Sequence, residues 1–290
     1  MTRKALALDI GGTKIYHTII DENGNILGEI EKHSTPKDLD ELKNLLKNTI
    51  AKHQNEVDAI AIATAGAVNN ENNKVISSTS NLVKGYNTID FQSFTKKKVF
   101  IENDANAAAW AEYVLGVSKG CAYSIMATLG TGVGGGIILD NKLYKGKSGG
   151  AGEMHFKISI EKHRKCTCGA WDCFEAYASG TGLKLTAEEM LNDKNVTTYD
   201  VINGVKSGDK QMKSILDKWQ DDILAGLIGL ANLFDPDCIV LSGSMAEFVD
   251  TDYLEKNINA EIVTAPIKVH KATTGNHAGM IGVALLALKS

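Results

Sequence analysis

Short apolar runs alternate with helical spacings along the chain. ALALDI (5–10) and IYHTII (15–20) are β-leaning runs joined by Gly-Gly-Thr-Lys. DENGN (21–25) marks a turn, and ILGEIEKH is predicted to continue as a third strand. Ser34 and Thr35 precede Pro36, after which Leu39, Leu42, Leu46 and Ile50 fall at helical spacing. VDAIAIATAG (57–66) reads as a buried parallel strand ending in a glycine turn. KVFIEND (98–104) is a strand running into the alanine-rich helix ANAAAWAEYVLG.

The second half begins the same way. SIMATL (124–129) is a strand, GTGVGGG a turn, and GIILDNKLY a strand pair around Asp140-Asn141. An offset of 119 residues lays Gly130 on Gly11 and Asp140 on Asp21, a weak internal repeat. Two such units facing each other form a cleft with a glycine turn on each wall. Farther on come a long buried helix, WQDDILAGLIGLANLF (219–234), and a strand, CIVLSG (238–243), with SMAEF opening a helix. IKVHKAT (267–273) is a last strand, and HAGMIGVALLAL a closing helix. The charged stretch 184–218 reads as surface helices and loops. Strands alternating with helices indicate α/β architecture.

Composition narrows the classes. The chain has 290 residues, enough for one large domain or two lobes. An apolar share of 43% and a charged share of 23% are ordinary for a soluble globular protein. A net charge of −4 offers no basic surface for nucleic acid, and Lys96-Lys97-Lys98 reads as a solvated turn before a strand. No segment reaches the ~18 apolar residues of a membrane span, and the N-terminal apolar stretch is too short for a signal peptide. The expected location is the cytosol, where clustered cysteines point to metal or catalysis before disulfides.

Chemistry concentrates at strand ends. Asp9-Ile10-Gly11-Gly12-Thr13-Lys14 closes the first strand. Glycines let the backbone approach an anion closely, Thr13 adds a hydroxyl, Lys14 a charge, and Asp9 an acceptor for Mg²⁺ or its water. Residues 130–136 repeat the theme with Gly130, Thr131 and Gly132. One glycine hairpin is only a hairpin, but two at strand ends tilt toward nucleotide phosphates. Neither has the Rossmann spacing or the P-loop spacing. Glu102-Asn103-Asp104 lies where a strand meets a helix. Asn103 or Asp104 can cap that helix, and a carboxylate there can also take a proton from an attacking hydroxyl.

CTCGAWDCFE (166–175) holds three of the five cysteines. C-x-C-x₄-C favours a structural metal, and thiolate softness favours Zn²⁺ in a tetrahedron. Three thiolates need a fourth ligand, and His155 and His163 are both near in sequence. EMHFKISI alternates as a strand would, with Glu153 and His155 on one face and Met154 and Phe156 on the other.

DIGGTK (9–14), ENDANAAA (102–109), GTGVGGG (130–136), AGE (151–153) and CTCGAWDCFEAYASG (166–180) together resemble the ROK family, in family order and over essentially the whole chain. The resemblance implies the actin-like ATPase fold of sugar kinases and Hsp70, with two α/β lobes around a cleft. The expected lobes are 1–104 plus 275–290, and 105–274 carrying the zinc loop. It also implies transfer of the γ-phosphate of ATP to a sugar, usually at a 6-hydroxyl, with Mg²⁺. By position Asp104 matches the catalytic base, and Asn103, Glu153 and Glu175 match sugar ligands. Asn81 resembles the family's asparagine before a sugar-side loop, with Tyr86 where tryptophan is common. Asp9 through Lys14 and Thr131-Gly132 match the phosphate turns, and Gly243 matches an adenosine-side glycine. Ala65-Gly66-Ala67-Val68 stands where the family has P-G-P-V, without the prolines. The family's fourth zinc ligand is the histidine of G-E-x-G-H, which also touches the sugar. Here Phe156 holds that position, and His155 comes one residue early. His155 reaches a zinc only if the backbone bulges, and His163 is the substitute.

Three functions compete: an ATP-dependent hexose kinase, a ROK repressor, and a silent sugar-binding relative. A repressor carries an N-terminal helix-turn-helix, whereas the phosphate motif here starts at Asp9. The intact Asp9, Asp104, Glu153 and Glu175 argue against a silent protein. Glucose is the first expected substrate, then N-acetylmannosamine, then N-acetylglucosamine or fructose. The resemblance also implies a homodimer, with no nucleic-acid or membrane partner.

Overall fold

The computed structural model describes residues 2–78 and 81–289; Met1 and Ser290, the outer ends of the expected small lobe, lie outside the described residues, as do Thr79 and Ser80. The first half runs β1 (Lys4–Ile10), β2 (Lys14–Asp21), β3 (Glu31–Ser34), α1 (Leu39–His53), β4 (Ala59–Thr64), the hairpin β5 (Ala67–Val68) and β6 (Val75–Ser77), β7 (Lys98–Asn103) and α2 (Asp104–Val114). The second half runs β8 (Ser124–Leu129), β9 (Val133–Leu139), β10 (Lys142–Leu143), α3 (Glu175–Ala178), α4 (Gly180–Leu191), α5 (Thr198–Lys206), α6 (Lys210–Phe234), β11 (Cys238–Ser242), α7 (Thr251–Glu261), β12 (Lys268–Lys271) and α8 (Ala278–Lys289). No helix among the described residues is long and apolar enough to cross a membrane.

The internal repeat is real in three dimensions. One sheet has the order β3-β2-β1-β4-β7 and the other β10-β9-β8-β11-β12. In each, a three-strand antiparallel meander is followed by two strands parallel to its first. This is the actin-like architecture the sequence predicts. Parallel register puts Asp9 beside Ala63 and Glu102, and Ile10 beside Thr64 and Asn103, so the chemical motifs share the carboxyl edge of one sheet.

Strand alternation explains the layering. Leu6, Leu8, Ile60 and Ile62 point to the α1 face and form a cluster with Leu42, Leu46 and Ile50. Ala5, Ala7, Ala59, Ala61 and Ala63 line the opposite face against Met280, Val283 and Ala284 of α8. Large residues fill one face while alanines let a helix approach the other. α8 lies on β1 and β4, α2 lies on β8 and β9, and the two helices pack on each other, joining the sheets. A Cβ on Gly282 would stand 1.7 Å from the Ala107 carbonyl, so only glycine permits that crossing. The larger core lies under α6, where Trp219, Ile223 and Leu227 pack on Ile125, Ile239 and Leu241.

Three expectations change, and the cap of α1 is identified. The third strand is only Glu31–Ser34, and Ile26 merely bridges Ile20. The turn after β8 is residues 130–132, because Val133 to Gly136 pair with β8 as β9. α1 is capped by Asp38, whose carboxylate accepts from the Asp40 and Glu41 N–H groups, a contact worth about 1 kcal/mol. α6 begins at Lys210, nine residues before the apolar run, since Asp209 caps a solvated first turn.

A buried ion pair ties the two halves together beside the β5–β6 connection. Lys145 Nζ, in the loop after β10, lies 2.9 Å from Glu102 Oε2 and donates to the Asn69 carbonyl at 2.8 Å. Glu102 is 1% exposed and also accepts from Asn72 and Asn106. Removing one partner of such a pair typically costs about 3–5 kcal/mol. The amide of Asn70 donates to the Gly146 and Lys147 carbonyls, docking the β5–β6 connection on the same loop.

Candidate active site and metal cluster

Asp9 ends β1 and Asp104 opens α2, and the two carboxylates feel each other. Burial, and then the charge of Asp104, push Asp9 up to about 7. Burial likewise raises Asp104, against the pull of backbone N–H groups including Ala105. Asn103, not Asp104, caps α2: its side chain accepts from the Asn106 N–H at 3.0 Å. The Asn103 amide donates to the Gly66 carbonyl at 3.1 Å, so the loop lacking the family's prolines still braces this asparagine. Tyr86 is buried behind the site, its hydroxyl 2.7 Å from Thr64 Oγ1. The first turn of α8 completes the wall, with Gly279 beside the Asp9 carboxylate and the Asp104 backbone.

The first glycine turn is closed by Gly11 N–H donating to the Lys14 carbonyl at 3.0 Å. Thr35 Oγ1 donates to the Gly11 carbonyl at 2.6 Å, Lys37 Nζ to Gly12 at 2.8 Å, and the Thr35 N–H to Thr13 at 3.0 Å. The carbonyl side of the turn is thereby committed to residues 35–37. Thr13 and Lys14 are exposed. Asn81 sits against the turn, its Cβ 2.6 Å from where a Gly12 Cβ would stand.

The second turn is braced differently. Gly130 N–H donates to the Gly132 carbonyl, Gly180 N–H to Gly130 at 2.7 Å, and Thr181 Oγ1 to Thr131 at 2.8 Å. The N-terminus of α4, capped by Ser179, therefore abuts this turn, and such a terminus favours negative charge. Sequence reading missed this contact, although S-G-T-G following the cysteine motif carried its signal. Gly243 follows β11 with φ +86°, beside the end of β8, where Met245 N–H donates to the Leu129 carbonyl.

Glu175 connects this turn to the cysteine loop. Its carboxylate accepts from the Val133 N–H at 3.1 Å, from Thr167 Oγ1 and from Cys166 Sγ at 3.4 Å. A Cβ on Gly132 would fall 2.5 Å from Glu175 Oε2, so glycine is required for the carboxylate to lie there.

Residues 153–156 are not a strand; they are irregular, and a lone bridge from Lys157 to Cys173 follows them. The polar–apolar alternation has another origin. Met154 is buried, and Phe156 stacks on Phe174 with ring centres 5.1 Å apart, while His155 turns to the cysteines and Glu153 to solvent. Phe156, at the family's histidine position, belongs to the core.

Donor atoms of His155, Cys166, Cys168 and Cys173 all lie within 4.8 Å of one another. Cys166 Sγ is 3.6 Å from His155 Nδ1, and Cys168 Sγ is 3.6 Å from Cys173 Sγ. Sulfurs at ~2.3 Å and a nitrogen at ~2.0–2.1 Å from one tetrahedral ion stand about 3.8 Å (S–S) and about 3.6 Å (S–N) apart, so this donor set fits Zn²⁺. His155 Nε2 faces Glu153 Oε2 at 3.5 Å, the carboxylate–histidine pairing that orients a metal ligand. His163 is turned away, with Nε2 3.3 Å from Glu189 Oε1. Asp172, fully buried at φ +58°, shapes the loop from beneath by accepting from the His163 and Arg164 N–H groups and the Tyr177 hydroxyl.

Comparison with known proteins follows this geometry. Residues 5–290 match the sequence profile described as the ROK family. The chain is 33% identical over 318 residues to a glucokinase of Streptomyces coelicolor, covering 97% of this chain and 96% of that protein. It is 32% identical over 296 residues to an N-acetylmannosamine kinase of Yersinia pseudotuberculosis, covering 99% of each. Among solved structures, a ROK family glucokinase from Streptomyces griseus in complex with glucose and AMPPNP superposes with TM-score 0.81, 30% identity and 100% coverage of both chains. A ROK hexokinase from Thermus thermophilus gives TM-score 0.83 at 27% identity, covering 99% of this chain and 98% of that one. Matched by that profile over nearly its whole length, and built on the same duplicated sheets with their glycine turns, the chain belongs to the ROK family.

Proposed function

We propose that this protein is an ATP-dependent hexose kinase that phosphorylates glucose at the 6-hydroxyl, as a cytosolic homodimer of the kind the family resemblance implies. The observation that carries the reading is the Asp9–Asp104 pair at one sheet's carboxyl edge, with one braced glycine turn directly after Asp9 and a second leading into β9, which packs on the α2 that Asp104 opens. Asp104 takes the proton of the attacking hydroxyl as the γ-phosphoryl group transfers. Amides of Gly12 and Thr13 and of Thr131 and Gly132, with the α4 N-terminus, face the phosphates. Gly243 lies on the adenosine side. Asp9 is the donor suited to Mg²⁺, which when bound counters the phosphate charge. Asn81, Asn103, Glu153, His155 and Glu175 hold the sugar, and the zinc cluster sets Glu153 and Glu175. The lobes are 1–104 plus 275–290 and 105–274, and their closure excludes water as a competing acceptor.

N-acetylmannosamine is the second reading, supported by the kinase of that sugar at nearly the same identity as the glucokinase. ADP release measured across glucose, N-acetylmannosamine, N-acetylglucosamine and fructose separates the two. Glucose is expected to lead in kcat/KM by about tenfold or more, a margin within reach of one well-placed pocket contact. A lead by N-acetylmannosamine transfers the assignment to that sugar.

A further inference from the structure

Far from the cysteines, three histidines and a carboxylate converge at the edge of the first sheet. His17 of β2 stands directly opposite Glu31 of β3, and His33 lies two residues farther along β3 on the same face. His53 closes α1, which packs over that face. His17 Nε2 is 3.1 Å from His33 Nε2 and 3.7 Å from Glu31 Oε2. His53 Nε2 is 3.7 Å from Glu31 Oε1. Donor atoms of His17, Glu31 and His53 all lie within 4.8 Å of one another.

From this geometry we infer a second metal site, in which His17, Glu31 and His53 bind a divalent transition ion such as Zn²⁺ or Co²⁺. Nitrogen and oxygen ligands at ~2.0–2.2 Å from a tetrahedral ion stand about 3.3–3.5 Å apart; the two His–Glu31 separations of 3.7 Å lie just above that value, so the three donors need only draw in slightly to close on an ion. Imidazole and carboxylate suit a borderline ion, and no thiolate is present to soften the preference.

Two features of the histidines support a ligand role. Both ring nitrogens of His53 are shut off from solvent and lack a hydrogen-bond partner among the described residues, a costly state for a buried polar group. His17 is buried as well, and its Nε2 faces Glu31 and His33 rather than water. Lys52 Nζ holds Glu31 Oε1 at 2.7 Å, and it is the group an incoming ion would displace. Lys52 is more than half exposed, so it can swing into water. Such an ion would join β2, β3 and the end of α1. β3 runs directly into Thr35 and Lys37, which brace the first glycine turn.

Cobalt titration of the full-length, metal-stripped protein tests the assignment. The first class of site gives the intense thiolate-to-cobalt absorption of the cysteine cluster. A second equivalent is expected to bind at micromolar concentration, with only the weak bands of nitrogen and oxygen ligation, and to raise Tm. The Glu31→Gln, His53→Gln double variant, altered at partly exposed positions, should lose the second equivalent and its Tm increment. It should keep the thiolate band, which certifies that the variant is folded. A wild-type chain that takes one equivalent only, a second equivalent with thiolate absorption, or a second equivalent that survives in the variant would each overturn the site. None of these readouts depends on sugar phosphorylation.

Discussion

Replacing Asp104 by asparagine is expected to lower kcat by about 10²–10⁴-fold while leaving sugar affinity within a few-fold of the parent. The substitution is close to isosteric, and Asn Oδ1 can still accept the Ala105 N–H that Asp104 accepts at 2.9 Å. The helix start is safe as well, because Asn103 caps α2. Stability and capping should therefore survive, and what is lost is the group that accepts a proton. Steady-state kinetics give kcat, and calorimetric titration with sugar gives affinity. The pH profile adds an independent sign. A base must be ionised, and burial raises both Asp104 and Asp9, the latter to about 7. Activity of the parent should fall as pH drops through the pair's apparent values, which belong to the two groups jointly. A variant with near-parental kcat would remove Asp104 from the role of base.

Breaking the cysteine cluster should act on the sugar rather than on the nucleotide. Cys168 is the exposed member, so Cys168→Ser disturbs packing least. Cys166 and Thr167 both donate to Glu175, and His155 faces Glu153, so an unloaded loop releases together the two carboxylates that the proposed function assigns to the sugar. The expected result is loss of thiolate-bound metal and a sugar KM raised about 10–100-fold, the usual cost of disturbing a metal site's supports. KM for ATP should change less, since the first glycine turn is braced by Thr35 and Lys37, and the second keeps its bonds from Gly180 and Thr181 when Glu175 is released. Thermal stability should drop, because ligand binding free energy at a structural zinc is folding free energy. Metal loss with an unchanged sugar KM would show that the loop does not set the sugar ligands.

Much of this was legible in the chain because local rules agreed with the fold. ALALDI and AIAIAT alternate alanine with leucine or isoleucine, and the structure spends that alternation on two helix-covered faces of unequal depth. The glycine turns, the Asp104 carboxylate and the three cysteines all carry local signals. EMHF misled because its alternation looks like a pleat. In the fold it records a segregation between a hydrophobic cluster, which takes Met154 and Phe156, and a cysteine cluster, which takes His155. The irregular backbone supplies what the one-residue displacement of the histidine requires. Long-range partners left no trace in sequence. Glu102 with Lys145 is such a pair, and so is Glu112 of α2, whose carboxylate accepts from the Thr273 and Thr274 N–H groups ahead of α8. Nothing local distinguishes a buried carboxylate that clamps a chain crossing from one on a solvated helix face.

The most direct measurement is of the product itself. The purified protein, incubated with ATP, Mg²⁺ and glucose and followed by phosphorus NMR, should form ADP and a phosphate ester on the 6-hydroxyl in equal amounts. No phosphorylated product from glucose or from any sugar of the panel would contradict the account.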